Sequence, residues 1–241
     1  MIRRAAVVPH PPLLVPELVA GAAAETEPLR RATVAVAAEL AQVAGVWLAV
    51  GADPAGPVRI APHTRGTFAG FGVDVPVTLS ADGAAGEADP RLPLPALVAG
   101  WLRERAGAER VHADLVPPEL PPADCVRLGE RLAAEAGGPR PVGLLVLGEG
   151  SNQYAEHAQA LPDPRAAPFD EQVRDALADA DPRRLLDLDV APAAELGAAG
   201  RAAWQVLAGA ALASGHEWRG KHAELLNPFG VAYHIAVWDP A

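Results

Sequence analysis

Val46-Trp47-Leu48-Ala49-Val50 is a continuous apolar run that ends in Gly51-Ala52-Asp53-Pro54. A run without polar alternation is what a strand needs when both of its faces are buried, as in a parallel sheet covered by helices. Upstream, Leu29, Ala32, Val36, Leu40 and Val43 recur at helical spacing, with Thr26 as the expected N-cap, Pro28 in the first turn and Gly45 as the stop. Before them, Ile2–Val8 reads as a short buried strand. Strand, helix, strand in this order is a βαβ unit, so the fold class is α/β: a single domain over 1–241 with a central, mostly parallel sheet flanked by helices.

Further along, the pattern predicts a strand over 71–79, a polar loop over 80–91, a helix over Leu94–Ala106, an extended proline-rich connector over 116–122 and a helix over 125–136. The clearest strand is Val142–Leu147, which runs into Gly148-Glu149-Gly150-Ser151-Asn152 and then a long polar stretch. A helix marked by Phe169, Val173 and Leu177, a long alanine-rich helix over 191–213 and a terminal strand over 231–238 complete the reading.

Composition narrows the function classes. The chain has 241 residues, 50% of them hydrophobic but only 5% aromatic, so the core is expected to be built from Ala, Val and Leu. A formal charge of -10 with no arginine cluster argues against a nucleic-acid partner. Cys125 is the single cysteine, which rules out an intrachain disulfide and any multi-cysteine metal site and fits a reducing cytoplasm. No run approaches the roughly 20 apolar residues of a membrane helix, so no membrane partner is expected. Lys221 is the only lysine beside abundant arginine and alanine, the composition of a high-G+C genome.

Three turns follow buried strands: the His10 turn, the Asp53 turn and the 149–152 turn. In open α/β sheets ligands bind outside the carboxyl ends of the strands, so these turns converge if their strands are parallel neighbours. In Val8-Pro9-His10-Pro11-Pro12-Leu13-Leu14-Val15-Pro16, the prolines stiffen the backbone around one imidazole, as suits a metal ligand or a histidine that caps nearby carbonyls. Asp53 reads either as a second ligand or, because Asp-Pro initiates turns, as a turn residue. His63, in Ile60-Ala61-Pro62-His63-Thr64-Arg65-Gly66, is the substitute ligand or a solvated loop histidine. His216, Glu217, His222 and Glu224 have the wrong spacing for a two-turn zinc helix and are expected in a solvated loop; His234 is expected to be structural.

The His-Pro-Pro opening, the Gly66-Thr67-Phe68-Ala69-Gly70-Phe71-Gly72-Val73 segment, the Gly-Glu-Gly-Ser turn and the Phe229-Gly230-Val231-Ala232-Tyr233 segment together resemble the class III extradiol ring-cleavage dioxygenases of the LigB type and their Memo-like relatives. The resemblance implies a LigB-like fold and a divalent iron, or zinc, held by two histidines and a carboxylate, acting on a small catechol-type aromatic. It places His10 as the first metal ligand, Asp53 or His63 as the second, and puts the last at either Glu195 or Ala199, of which only Glu195 can bind metal. His157 would be the acid/base that exchanges protons with substrate. Subunit pairing is common in the family, so a homodimer is the expectation. Three functions stand open at this point: an extradiol dioxygenase, a degenerate Memo-like scaffold that lacks a complete metal site and binds a metabolite or partner without catalysis, and a metal-dependent hydrolase using Glu149.

Overall fold

The computed structural model describes residues 1–19, 21, 23–83, 86–154 and 161–241. In chain order the strands are β1 (Ile2–Val8), β2 (Val46–Ala52), β3 (Val58–Ile60), β4 (Arg65–Thr67), β5 (Pro76–Thr78), β6 (Arg110–Val116), β7 (Val142–Leu147), β8 (Trp218–Leu226) and β9 (Tyr233–Pro240). The helices are α1 (Ala23–Val43), α2 (Leu94–Ala106), α3 (Pro122–Glu135), α4 (Ala166–Ala178), α5 (Pro182–Leu186), α6 (Val190–Glu195) and α7 (Arg201–Ala213). A seven-stranded sheet runs in the order β3-β6-β2-β7-β1-β9-β8. Its centre, β6-β2-β7-β1, is parallel; β3 and β9 run antiparallel to it, and β8 antiparallel to β9. The expected α/β architecture with a mostly parallel sheet is therefore present.

The continuous apolar runs have a direct physical explanation. Leu48, Val50, Leu144 and Val146 point into one buried cluster shared with α3, α4 and α7, whereas Trp47, Ala49, Leu145 and Leu147 point into a second shared with α1 and α2. Both faces of the central strands are covered, so there is no solvent face to carry polar residues. Although aromatic residues are few, Trp47, Trp101, Trp204 and Trp238 are all fully buried. On the first of these faces α3 and α7 approach closely: a methyl group on Gly129 would stand 2.4 Å from the Ala210 nitrogen, and one on Gly209 would stand 2.7 Å from Val126.

Several expectations change. Thr26 is not an N-cap; α1 begins three residues earlier, and Thr26 is buried inside it. The segment 71–79 contributes only the short β5, paired with β4, because Phe68–Phe71 forms a tight turn closed by Gly72 at φ 102. β6 carries alternating polar residues, His112 and Asp114, which hid it among helix and loop signals. The alanine-rich helix is broken into α6 and α7 around Gly197, which sits at φ 68. The segment holding His222 and Glu224 is the edge strand β8, stabilised by its ladder to β9 rather than by an apolar alternation of its own. Among the described residues no helix is long and apolar enough to cross a membrane.

Candidate functional site

β1 and β7 lie side by side in parallel register, Val8 opposite Leu147, and the Gly148 N–H donates to the Val8 carbonyl at 3.1 Å. Their carboxyl ends therefore finish together. The chain leaving β1 goes to α1 on one face of the sheet and the chain leaving β7 goes to α4 on the other. Adjacent strands whose connections diverge in this way leave a crevice at the sheet's carboxyl edge.

His10 and Glu149 occupy that crevice. The Pro11 and Pro12 rings set the backbone after His10, the Leu14 N–H closes the turn on the Pro11 carbonyl at 3.1 Å, and Leu14 is buried beneath it as an anchor. The Glu149 Oε1 accepts the His10 backbone N–H at 2.6 Å and lies 3.1 Å from the His10 Nδ1, in contact with the imidazole but poorly aligned for a second hydrogen bond. Both side chains are largely buried, at 8% and 17% exposure, so the carboxylate acts on the imidazole through little intervening water.

A cleft of about 240 Å³ opens over this pair, lined also by Pro12, Leu94, Asn152 and Tyr233. Burial, and then the charge of Glu149, push the Tyr233 phenol above the ordinary tyrosine range, so it keeps its proton and serves as a hydroxyl group. Among the described residues no lysine or arginine lines the cleft, and Glu149 is its only carboxylate.

The residues expected as metal ligands are not brought together. Asp53 is a turn residue: its Oδ1 accepts the Ala55 N–H at 2.8 Å and its carbonyl accepts the Gly56 N–H at 2.9 Å. His63 is exposed in a turn closed by the Thr64 N–H on the Ala61 carbonyl. Glu195 is 58% exposed and pairs with Arg165 at 2.7 Å. Of the two positions that the pattern allows for the last ligand, the one lining the cleft is Ala199, which has no donor atom. Among the described residues no three His, Cys, Asp or Glu side chains are grouped to hold a metal ion. The donor set for a mononuclear iron or zinc thus does not fit the cleft. His157, the expected acid/base, lies outside the described residues.

Tyr233 in the cleft wall and Asp170 behind the turn, whose carboxylate accepts the Ser151 N–H, were not singled out from the sequence. Tyr233 gave no signal beyond its place at the start of a strand. Asp170 did leave one: it stands three and seven residues before Val173 and Leu177, a carboxylate on the apolar stripe of α4.

No family model matches this chain, and none of the curated proteins does. Among solved structures it is similar to an uncharacterized protein of Escherichia coli K12, at 14% identity over 98% of this chain and 99% of that one, with a TM-score of 0.48.

Proposed function

We propose that this protein is a divergent relative of the LigB-type and Memo-like proteins that binds a small metabolite in the His10–Glu149 cleft without a three-ligand metal centre, in the cytoplasm. The observation that carries the reading is the pairing of Glu149 with His10 while Asp53, His63 and Glu195 are engaged or exposed elsewhere. A cleft whose one charged carboxylate has no arginine or lysine beside it repels anions and favours a neutral or cationic ligand with N–H or O–H donors. Tyr233 adds a hydroxyl, and Pro12 and Leu94 supply apolar walls for a ring or short chain.

Calorimetric titration with tyramine, catechol and 4-hydroxybenzoate tests this, alongside metal analysis of protein purified without air and without a histidine tag. The reading expects tyramine or catechol to bind, 4-hydroxybenzoate to bind far more weakly, and metal to be substoichiometric. Stoichiometric iron or zinc that is lost in His10→Ala overturns it in favour of the dioxygenase, the reading favoured by a strand-end histidine lining the cleft.

A further inference from the structure

Directly behind the 149–152 turn, on the face of the sheet opposite Tyr233, lies a pair of ionisable groups that the cleft itself does not use. Asp170 on α4 and His234 on β9 are both fully buried, with the Asp170 Oδ1 2.9 Å from the His234 Nε2. The same carboxylate accepts the Ser151 backbone N–H, at 3.2 Å from Oδ1 and 3.3 Å from Oδ2. The His234 ring packs edge-on against Trp204, with centroids 5.2 Å apart.

The packing leaves no slack between this pair and the turn. A methyl group on Gly150 would stand 2.1 Å from the Asp170 Oδ1 and 2.9 Å from the His234 Nε2, so only glycine lets the main chain lie against the pair. The turn's main chain is fastened on its other sides by backbone bonds, Gly150 N–H to the Ala232 carbonyl, Ala232 N–H to the Ser151 carbonyl and Gly200 N–H to the Glu149 carbonyl, each at 2.8 Å, and Asn152 N–H to the Leu196 carbonyl at 3.1 Å. Burying a carboxylate is expensive unless its oxygens are paired, and here the partners that stabilise it are a main-chain N–H of the turn and an imidazole. Moving the turn therefore strips a buried carboxyl group of a donor.

We infer that Asp170 and His234 are positioning residues for Glu149: a buried carboxylate–imidazole pair that fixes the 149–152 main chain so that the Glu149 carboxylate meets His10. The inference rests on the binding role proposed for the cleft, but its first readout needs no ligand.

That readout is the His10 ring nitrogen resonances, assigned by their loss in His10→Ala. Asp170→Asn and His234→Leu are expected to shift them, His234→Gln, which keeps an N–H for Asp170, to leave them near the wild-type position. Tyramine binding should weaken about tenfold in the first two, the scale of one lost hydrogen bond to a charged group. Asp239→Asn, which breaks the Arg4–Asp239 pair at the far end of β1, is the comparator for a purely structural loss. If Asp170→Asn and His234→Leu lower the melting temperature as Asp239→Asn does and leave the His10 resonances in place, the inference is overturned. Should these variants not fold, hydrogen exchange in the wild-type protein decides: a Ser151 amide that exchanges only on global unfolding supports the clamp, and one that exchanges like an exposed loop amide overturns it. Absence of tyramine binding together with shifted His10 resonances would count against the proposed ligand class and not against the clamp.

Discussion

Two concave regions of this molecule invite comparison. Beside β3, β6 and α3 lies a cavity of about 500 Å³ lined by Arg59, Arg127, Arg131, Asp114 and Asp124. The cleft at the carboxyl ends of β1 and β7 has about half that volume, at 240 Å³. In the larger one every arginine has a carboxylate: Arg59 reaches both oxygens of Glu135 at 2.8 and 2.6 Å, Arg131 meets Asp114 at 2.7 Å, and Arg127 pairs with Asp124. In the smaller one Glu149 faces a histidine and a protonated tyrosine, with no arginine or lysine among the lining residues described. Volume and unbalanced charge rank the two in opposite orders. A cavity whose charges already satisfy one another has little left to offer a ligand, whereas a largely buried carboxylate with no arginine or lysine beside it is suited to take a cation.

The comparison breaks most sharply at Glu149. Glu149→Gln is expected to weaken tyramine binding about tenfold to a hundredfold, the range for a lost charged hydrogen bond, and to erase the discrimination against 4-hydroxybenzoate; calorimetry on the variant measures both. Arg131→Ala, in the larger cavity, should leave tyramine binding unchanged. If the two variants behave alike, charge balance is not what separates the regions.

Gly150→Ala comes next. Its methyl group must displace Asp170 or the turn, so unfolding by urea should show a loss of about 1–3 kcal/mol, the usual cost of overpacking. A fully stable Gly150→Ala would mean that the turn gives way easily and that the cleft is less rigid than its contacts imply.

Tyr233 sharpens the contrast through pH. Its folded-state pKa is raised, so the phenol favours the fold fully below the ordinary tyrosine pKa of about 10, and that contribution is lost as pH rises beyond it. Tyr233→Phe should flatten the alkaline arm of the stability profile followed by circular dichroism. On the acid side, the Arg59 guanidinium lowers the Glu135 pKa, so this pair contributes above the ordinary glutamate pKa of about 4.3 and fades as pH falls below it. Because both partners are about one-third exposed, solvent screens the interaction, and Glu135→Gln should change stability by no more than about 1 kcal/mol at neutral pH, with a slightly flatter acid arm. An effect of Glu135→Gln that exceeds that of Gly150→Ala would reverse the ranking of the two regions.

How far the sequence carried can be judged strand by strand. β1, β7 and α2 are legible to the residue, since each is an apolar run or stripe bounded by proline or glycine. β6 was not, because its polar positions meet partners that no local pattern displays: Asp114, for instance, is paired by Arg131 from α3. β8 was read as loop because an edge strand with Lys221, His222 and Glu224 depends on hydrogen bonding to β9. Within the candidate site, His10 stood out by its prolines, and the turns after β1 and β7 lie side by side, as the ends of parallel neighbours do. Their membership was not legible. Asp53 spends its carboxylate on its own turn, and Ala199 rather than Glu195 faces the cleft, because the break at Gly197 rotates the chain between α6 and α7.

By itself, then, the sequence determined the α/β class, the burial of the central strands on both faces and a rigid histidine at the end of the first, since hydrophobic period and proline stereochemistry are local properties of the chain. Only the tertiary structure decided that Glu149 is the group beside that histidine, that Asp170 and His234 stand behind it, and that the other expected ligands lie elsewhere. Those outcomes depend on strand order and on which face each connection takes, and these are set by the packing of elements far apart in the chain.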